Sequence, residues 1–307
     1  MPNVDLFLWV LFGALVCAAL TVDLFIANRR AREISIREAG FWVLIWVALA
    51  LVFDGVVFYL KGSGKALEFL TGYVVEESLS VDNLFVFVMI FSHFRVRSLH
   101  QPRVLKWGIL GAIVMRAFFV ATGVTLFNLF HWMIYVFGGL LIFAALKILF
   151  DEESEFEPDR NWVVRFFRLF MPVSTQSSGQ RFFIKESGKW FATPLFIVLI
   201  LIETSDLIFA LDSVPAVIGI SRDLFIVYSS NIFAILGLRA LYFMLVGVMD
   251  LFRFLKIGIC VILTFVGIKL MISRIFEIPT GVTLALIALV LAVSVLASLI
   301  FKEKRGR

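Results

Sequence analysis

The sequence lacks most of the residues that enzymes and redox proteins use in their reactive sites. Its two cysteines, Cys17 and Cys260, lie in separate apolar stretches and form no C-x-x-C pair, so a dithiol redox site finds no support. Its three histidines fall at the ends of apolar stretches, where they cannot ligate a haem inside a membrane. No H-E-x-x-H or G-x-S-x-G string is present. We therefore expect neither enzymatic activity nor a permanently bound cofactor.

Charged residues are also scarce, at 17% of the 307 residues, whereas 61% are hydrophobic and 35 residues are Phe. Soluble domains are only about 45–50% apolar, so this composition indicates a protein embedded in a lipid bilayer. The formal net charge of +5 then reflects basic loops beside the membrane, and it does not indicate binding to nucleic acid.

Nine apolar stretches of roughly 20 residues are each long enough to cross a bilayer as a helix. They cover residues 4–27, 39–60, 67–92, 104–128, 130–150, 191–218, 223–248, 254–273 and 280–301. Lysine and arginine cluster after the first, third, fifth and seventh spans and in the C-terminal tail. Because basic loops stay on the cytoplasmic side, we expect an inner (plasma) membrane protein with its N-terminus outside and its C-terminus in the cytoplasm.

Spans 3–5 resemble spans 6–8. The string A-I-V-M-R-A-F-F around Arg116 matches A-I-L-G-L-R-A-L-Y-F around Arg239, and Lys147 in span 5 matches Lys269 in span 8. Because each copy has three spans, the second copy has to enter the membrane from the opposite side. Inverted repeats of this kind are typical of transporters, whose substrate sites lie near the bilayer midplane.

The predicted fold is therefore an all-α polytopic membrane protein with an inverted repeat of three plus three helices. Residues 1–66 hold helices 1 and 2, residues 67–150 the first repeat, residues 191–273 the second, and residues 274–307 helix 9 with a cytoplasmic tail. Residues 151–190 form a cytoplasmic loop, in which N-W-V-V-R-F-F-R-L-F-M is typical of a helix in the membrane interface. The acidic start of this loop is either a solvated linker or a cation-attracting funnel.

Two of the spans carry acids at membrane depth. Span 3 contains E-E-S-L-S-V-D-N-L-F-V-F, residues 76–87, and span 6 contains L-I-E-T-S-D-L-I-F-A-L-D-S-V-P-A, residues 201–216. An ionised carboxylate at the centre of a membrane helix costs about 2.5–3.5 kcal/mol on insertion scales, so these acids need a physical reason. A bound cation supplies one, since carboxylate, amide, hydroxyl and carbonyl oxygens suit Mn²⁺, Mg²⁺ or Ca²⁺.

The acidic spans supply two sets of candidate residues. The first set contains the candidate metal ligands Glu76, Asp82, Asn83, Glu203, Asp206 and Asp212. The second set contains candidates either as ligands or as supporting residues: Glu77, Asp23, Ser80, Ser213 and Asn231. Arg116 and Arg239 balance part of the negative charge, and the alternative is that the acids only pair with these arginines to hold the bundle together. Two registers of the repeat, offset by 130 or by 124 residues, pair Asp206 with Glu76 or with Asp82.

Pro215 adds a further oxygen to this set. Proline has no N–H, so the carbonyl of Leu211 loses its helical partner, and we expect the helix to open beside Asp212. Metal binding to clustered carboxylates displaces protons. We therefore expect cation transport that is coupled to protons.

At these motifs the sequence resembles the TerC family of integral membrane proteins, in particular its Alx-type bacterial members. The resemblance covers nearly the whole chain and rests on residues 76–87, on A-T-P-L-F-I-V-L-I-L-I-E-T-S-D-L-I-F-A-L-D-S-V-P-A (192–216) and on S-S-N-I-F-A-I-L-G-L-R-A-L-Y-F (229–243). It implies a transporter related to the LysE and cation/Ca²⁺-exchanger-like exporters, with manganese as the substrate. It also implies links to tellurium resistance and to the response to alkaline pH.

Three functions therefore compete. The first is a divalent-metal exporter, with Mn²⁺ as the expected ion, that works by alternating access. The second is a membrane redox modulator, for which the sequence offers no dithiol. The third is a scaffold in a stress-resistance (tellurium) complex, which does not require acids at membrane depth. Metal accumulation in cells separates the first function from the other two.

Overall fold

The computed structural model folds almost entirely into α-helices. It describes residues 2–22, 34–130, 132–150, 172–173, 181–186, 189–248, 254–273, 275–276 and 278–300, without the side chains of a few of them, such as Asp82 and Asp212. The helices of the described residues are α1 (Pro2–Thr21), α2 (Ile36–Lys61), α3 (Ser63–His93), α4 (Gln101–Leu129), α5 (Met133–Phe150), α6 (Pro194–Ile218), α7 (Leu224–Val248), α8 (Leu255–Ile272) and α9 (Thr280–Ile300). Each overlaps one predicted span, so the helical part of the fold prediction is confirmed.

The all-α prediction was wrong in one respect, because a two-stranded antiparallel sheet precedes α6. Its strands are β1 (Phe183–Glu186) and β2 (Lys189–Ala192), with Phe183 opposite Ala192 and Glu186 opposite Lys189. The strands are short and rich in aromatic residues, which favour strands, and their apolar side chains run on into the next helix. That continuity led the sequence analysis to begin span 6 at residue 191. The predicted interfacial helix at residues 161–171 lies outside the described residues.

The helices have the length and composition of membrane spans. Within the described residues, six helices are long and apolar enough to cross a membrane: Val4–Thr21, Ile36–Lys61, Gln101–Leu126, Pro194–Ile218, Leu224–Val246 and Thr280–Ile300. Shorter apolar segments lie in α5 and α8, at Tyr135–Leu146 and Ile257–Ile272. α3 is 31 residues long, but its acids lower its hydropathy. Large apolar side chains such as Leu44, Phe118 and Phe143 are exposed on the outside of the bundle, as expected where lipid covers the surface.

Both ends of α2 are well defined. Ser35 caps α2, because its side chain accepts a hydrogen bond from the backbone N–H of Glu38 at 3.3 Å, as in the S-x-x-E capping box. α2 and α3 are joined at Gly62, whose φ of 87° lies in the left-handed region that glycine adopts without strain. This tight junction sends α3 directly back into the bundle.

α6 begins at Pro194 and continues as an α-helix through Pro215 to Ile218. The expectation that the helix opens at Pro215 was therefore wrong. The proline removes one hydrogen bond near the end of the helix, while its own carbonyl still accepts one from the N–H of Gly219 at 2.9 Å. One lost bond this close to a helix end does not require the backbone to unwind.

The centre of the fold is formed by α3, α4, α6 and α7. α3 packs against α6 and α7, and α4 packs against the same two helices. Beside this group α5 packs closely on α8, where a Cβ on Gly138 would lie 2.9 Å from the carbonyl oxygen of Gly267. Small residues thus allow helix backbones to meet, and the two acidic helices α3 and α6 are held inside the bundle.

An aromatic cluster fastens α1, α2, α3 and α7 together on one side of this centre. It contains Phe12, Phe53, Phe69, Phe225 and Phe233, and the rings of Phe53 and Phe233 lie 4.7 Å apart between centroids. Aromatic pairs at such distances add to the stability that burial alone provides. The cluster therefore packs α3, one of the two acidic helices, against α1, α2 and α7.

Candidate cation-binding site

Arg116 is the centre of the site. It lies in the middle of α4 with only 1% of its surface exposed. Its Nη1 donates hydrogen bonds to Oε1 of Glu76 in α3 and, at 2.7 Å, to Oδ1 of Asn231 in α7. Its Nη2 lies 3.8 Å from Oδ1 of Asp206 in α6. One guanidinium therefore gathers polar side chains from three other helices.

Not every polar atom around Arg116 has a partner. Oδ2 of Asp206 and Nε of Arg116 itself are buried without a hydrogen-bond partner among the described residues, and the second carboxylate oxygen of Glu76 has only the hydroxyl of Ser213 beside it. If both carboxylates are ionised, one guanidinium leaves a net charge of −1. Buried polar atoms in native proteins are usually hydrogen-bonded, so atoms without partners mark a place where a further cation, proton or water has a strong reason to bind.

A small cavity opens beside Asp206. It has room for about one water molecule, and Glu203 and Asp206 are among the residues that line its almost wholly apolar surface. The remaining lining residues are apolar or small: Phe87, Leu105, Gly108, Ile109, Ala112, Ile202 and Leu238. Two acidic residues one helical turn apart thus border the same small cavity.

Gly111 determines where the Glu203 side chain can lie. A Cβ built on Gly111 would lie 2.1 Å from Oε1 of Glu203 and 2.4 Å from the other two carboxyl atoms, which is a severe overlap. The carboxyl of Glu203 therefore rests directly on the bare backbone of α4. Sequence reasoning did not select Gly111, although the small residues Gly108, Gly111 and Ala112 in one span are a signal for close helix packing.

The structure thus brings Glu76, Asp206 and Asn231 together around Arg116, with Glu203 one turn from Asp206. Three other predicted residues are buried in the same two acidic helices: Ser80, Asn83 and Ser213. The side chains of Asp82 and Asp212, and all of Asp23, lie outside the described residues. Within the described residues, no group of three or more His, Cys, Asp or Glu side chains is close enough to hold a metal ion by itself.

Glu77 faces a different part of the bundle. Its Oε1 lies 3.8 Å from the position of a Cβ on Gly237 in α7, beside Trp46 of α2. Its Oε2 and the indole N–H of Trp46 are buried without hydrogen-bond partners among the described residues. Glu77 is therefore separated from Arg116 although it follows Glu76 directly. Arg239, the other predicted counter-charge, is buried on α7.

A second set of charges, at the α2–α3 junction, was not anticipated. Nζ of Lys61 lies 2.9 Å from Oδ1 of Asp5 and 3.1 Å from Oδ2 of Asp223. Nζ of Lys65 lies 2.7 Å from Oε2 of Glu68. The two contacts of Lys61 join the end of α2 to α1 and to the loop before α7, whereas Lys65 and Glu68 are three residues apart within α3. The partners of Lys61 are far from it in sequence, so only the folded chain reveals them.

The chain resembles known proteins along nearly its whole length. The family described as "Integral membrane protein TerC family" matches residues 61–306. "Uncharacterized membrane protein STKORF319" of Myxococcus xanthus is 46% identical over 293 residues, which cover 95% of this chain and 92% of that protein. "Putative membrane-bound redox modulator Alx" of Escherichia coli (strain K12) is 42% identical over 289 residues, with 91% and 90% covered. "Uncharacterized membrane protein" of Rickettsia felis is 35% identical over 295 residues, with 96% and 98% covered. No solved structure matches the chain.

Proposed function

This chain belongs to the TerC family of integral membrane proteins, and from that premise we propose that it exports a divalent metal ion, with Mn²⁺ as the substrate. One observation carries the proposal. Two buried carboxylates on different helices share a single arginine, and that of Asp206 keeps an oxygen without a hydrogen-bond partner among the described residues. Acids that only served to hold the bundle would need no spare oxygens at membrane depth.

The ligand chemistry supports a hard cation. The described side chains around Arg116 and the cavity offer carboxylate, amide and hydroxyl oxygens from Glu76, Glu203, Asp206, Asn231 and Ser213. We assign Asn83, which is buried in α3, to the same site. Oxygen ligands of this kind suit Mn²⁺, Mg²⁺ and Ca²⁺ better than Zn²⁺ or Cu⁺. We further assign Asp82 and Asp212 to this site, because they lie in the same two acidic helices. Glu77 and Asp23 serve as supporting residues, and Arg116 with Arg239 balances the charge.

The helix packing supports a transporter architecture with nine membrane helices. α3 packs on α7 as α6 packs on α4, and α5 packs on α8. This pattern is the one expected if α3–α5 and α6–α8 are inverted copies related by a pseudo-two-fold axis. On this proposal the protein lies in the inner (plasma) membrane with its N-terminus outside, is related to the LysE and cation/Ca²⁺-exchanger-like exporters, and works by alternating access with proton exchange.

A redox function is the second candidate, because the relatives in Escherichia coli carry "redox modulator" in their name. In this chain Cys17 is exposed in α1 and Cys260 is buried in α8, and both are free thiols. Replacing both cysteines with serine separates the two candidates. Metal export should survive in the double variant, whereas a thiol-based redox function should be lost. A scaffold in a tellurium-resistance complex would retain its function in the cysteine variant and in variants of the acids.

The decisive experiment measures Mn²⁺ flux in proteoliposomes that contain the purified chain. Asp206→Asn keeps the size of the side chain and removes one carboxylate, so we expect it to abolish flux. Asp223→Asn is the matched control, since it removes a carboxylate from the α2–α3 junction and should leave flux unchanged. A pH dye inside the vesicles reports proton counter-movement. Equal Mn²⁺ flux in all three proteins, or none in the unaltered chain, would reject the proposed function.

A further inference from the structure

Arg116 occupies the position in which a transported cation would bind to the acids. Its guanidinium contacts Glu76 and lies 3.8 Å from Asp206, and these are the acids on which the proposed function relies. A guanidinium is always charged in proteins and binds oxygen ligands as a fixed fork. The oxygens that would bind a metal are therefore already engaged, in part, by a cation that belongs to the protein.

The geometry points to competition and not to shared occupancy. A divalent cation bound by the oxygens of Glu76 or Asp206, at metal–oxygen distances of about 2–2.6 Å, would lie only a few ångström from the guanidinium. Two positive groups that close repel strongly in the low dielectric of a protein interior. Water cannot screen the repulsion, because the side chains of Arg116, Glu76 and Asp206 are only 1%, 0% and 7% exposed.

Arg116 also has a neutral partner, which its Nη1 contacts in addition to Glu76. Asn231 accepts a hydrogen bond from Nη1 at 2.7 Å, while its own amide N–H donates to the carbonyl of Val227 at 2.9 Å. Both polar ends of the Asn231 side chain are thus committed, and its carbonyl oxygen aims at the arginine. The guanidinium therefore has an anchor on α7 that remains when a metal takes the carboxylates of α3 and α6.

We propose, resting on the proposed function, that Arg116 is a tethered competitor that takes the place of the metal on Glu76 and Asp206 and so drives metal release. A metal ion that enters displaces the guanidinium from the carboxylates, and the guanidinium returns to them as the metal leaves. The acids then never stand without a cation at membrane depth. Arg116 acts on the substrate through the carboxylates and is not itself a ligand.

The test is a pair of measurements on Arg116→Gln in lipid nanodiscs and proteoliposomes. The Kd for Mn²⁺, measured by the loss of the EPR signal of free Mn²⁺, should fall by about tenfold or more, which corresponds to about 1.4 kcal/mol or more. The KM for transport should fall with it, and the maximal rate should also fall, because release becomes slow. A purely structural arginine predicts the opposite for binding, since a loosened site binds metal more weakly.

Two further variants complete the test. Lys61→Gln removes the same positive charge at the α2–α3 junction and should change neither constant. Arg116→Lys keeps the charge, but its single ammonium cannot contact all three partners, so Mn²⁺ should bind more tightly than to the unaltered chain and more weakly than to Arg116→Gln. If Arg116→Gln does not accumulate in the membrane, the Kd of Arg116→Lys for Mn²⁺ alone distinguishes a competitor from a purely structural arginine.

The outcomes separate this inference from the proposed function. If the unaltered chain binds Mn²⁺, Asp206→Asn does not, and neither Arg116 variant binds more tightly, then Arg116 is not a competitor and only this inference falls. If the unaltered chain does not bind Mn²⁺, both fall together. Tighter binding with slower transport in Arg116→Gln, and no change in Lys61→Gln, supports the competitor.

Discussion

The charges at Arg116 and the charges at the α2–α3 junction have opposite properties. At the junction Lys61 bridges Asp5 and Asp223, whose side chains are 58% and 22% exposed. Oδ1 of Asp223 also accepts a hydrogen bond from the backbone N–H of Phe225 at 3.0 Å. These acids have partners and can reach water. At Arg116 the side chains are almost completely buried, and Asp206 keeps an oxygen without a partner among the described residues.

The difference indicates what each set of charges does. Partly exposed ion pairs contribute about 0–1 kcal/mol each, so the junction fastens helix ends and loops at low cost. Buried charges carry a desolvation cost that their pairing only partly offsets. The Arg116 cluster is therefore a poor way to stabilise a bundle and a suitable way to hold a second cation. Variants of the two regions should separate stability from transport.

The largest effect, on both protein stability and Mn²⁺ flux, is expected for Glu76→Gln. This change removes the hydrogen-bonded carboxylate partner of Arg116 and leaves only the carboxylate of Asp206, 3.8 Å away, as its countercharge. Breaking a buried ion pair costs about 3–5 kcal/mol when no countercharge remains, so we expect a loss of up to about 3 kcal/mol here. Protein levels in the membrane and Mn²⁺ flux should therefore fall together. Thermal unfolding in detergent measures the first and proteoliposome flux the second. An unfolding temperature equal to that of the unaltered chain would show that the pair contributes little.

Asp206→Asn should affect transport alone. Its nearer oxygen is 3.8 Å from Arg116, and the other has no hydrogen-bond partner among the described residues. Because a buried carboxylate carries a desolvation cost that offsets much of its attraction to Arg116, the free energy of unfolding should change little, while Mn²⁺ flux is lost. We make the same prediction for Asp82→Asn and Asp212→Asn, which we assign to the site from the sequence. A variant that loses stability in proportion to its flux would place that acid in a structural role.

Gly111→Ala should have an intermediate effect. The added Cβ overlaps the carboxyl of Glu203, so this side chain has to leave its position beside the cavity, and flux should fall several-fold. The shorter side chain of Glu203→Asp in the same background relieves the overlap and should restore part of the flux. Gly139→Ala is the matched control, because nothing lies within 4 Å of its added Cβ. Flux that the second substitution does not restore would argue against a steric cause.

The smallest effect is expected at the junction. Asp223→Asn weakens one partly exposed contact to Lys61 and should lower the free energy of unfolding by about 1 kcal/mol at most. Mn²⁺ flux should stay unchanged, because the junction has no part in cation binding on this account. Loss of flux in Asp223→Asn with a normal unfolding temperature would extend the transport pathway to this end of the bundle.

Sequence reasoning located the helices because long apolar runs have one favourable structure in a bilayer. It also selected Glu76, Asp206 and Arg116 by their cost at membrane depth, although their assignment as a metal site stays a prediction. It missed the β1–β2 hairpin, whose strands are only four residues each. It expected a broken helix at Pro215, because a local rule on proline ignores the packing that holds α6 continuous.

Contacts between residues far apart in the chain were the main features that the sequence did not predict. The pairing of Asn231 with Arg116 spans 115 residues, and that of Lys61 with Asp223 spans 162. Nothing local in either segment specifies its partner. The close approach of Glu203 to Gly111 likewise depends on how α6 crosses α4, which a single sequence does not determine.

We propose that a divalent cation binds to the acids beside Arg116. The most direct test is a structure of the full chain with Mn²⁺, in which the anomalous scattering of manganese locates the ion. We predict a manganese peak within about 2.6 Å of a carboxylate oxygen of Asp206, with the Arg116 guanidinium moved away from it. A manganese peak elsewhere in the protein, or a site at Asp206 that stays without manganese in a protein that transports it, would contradict the account.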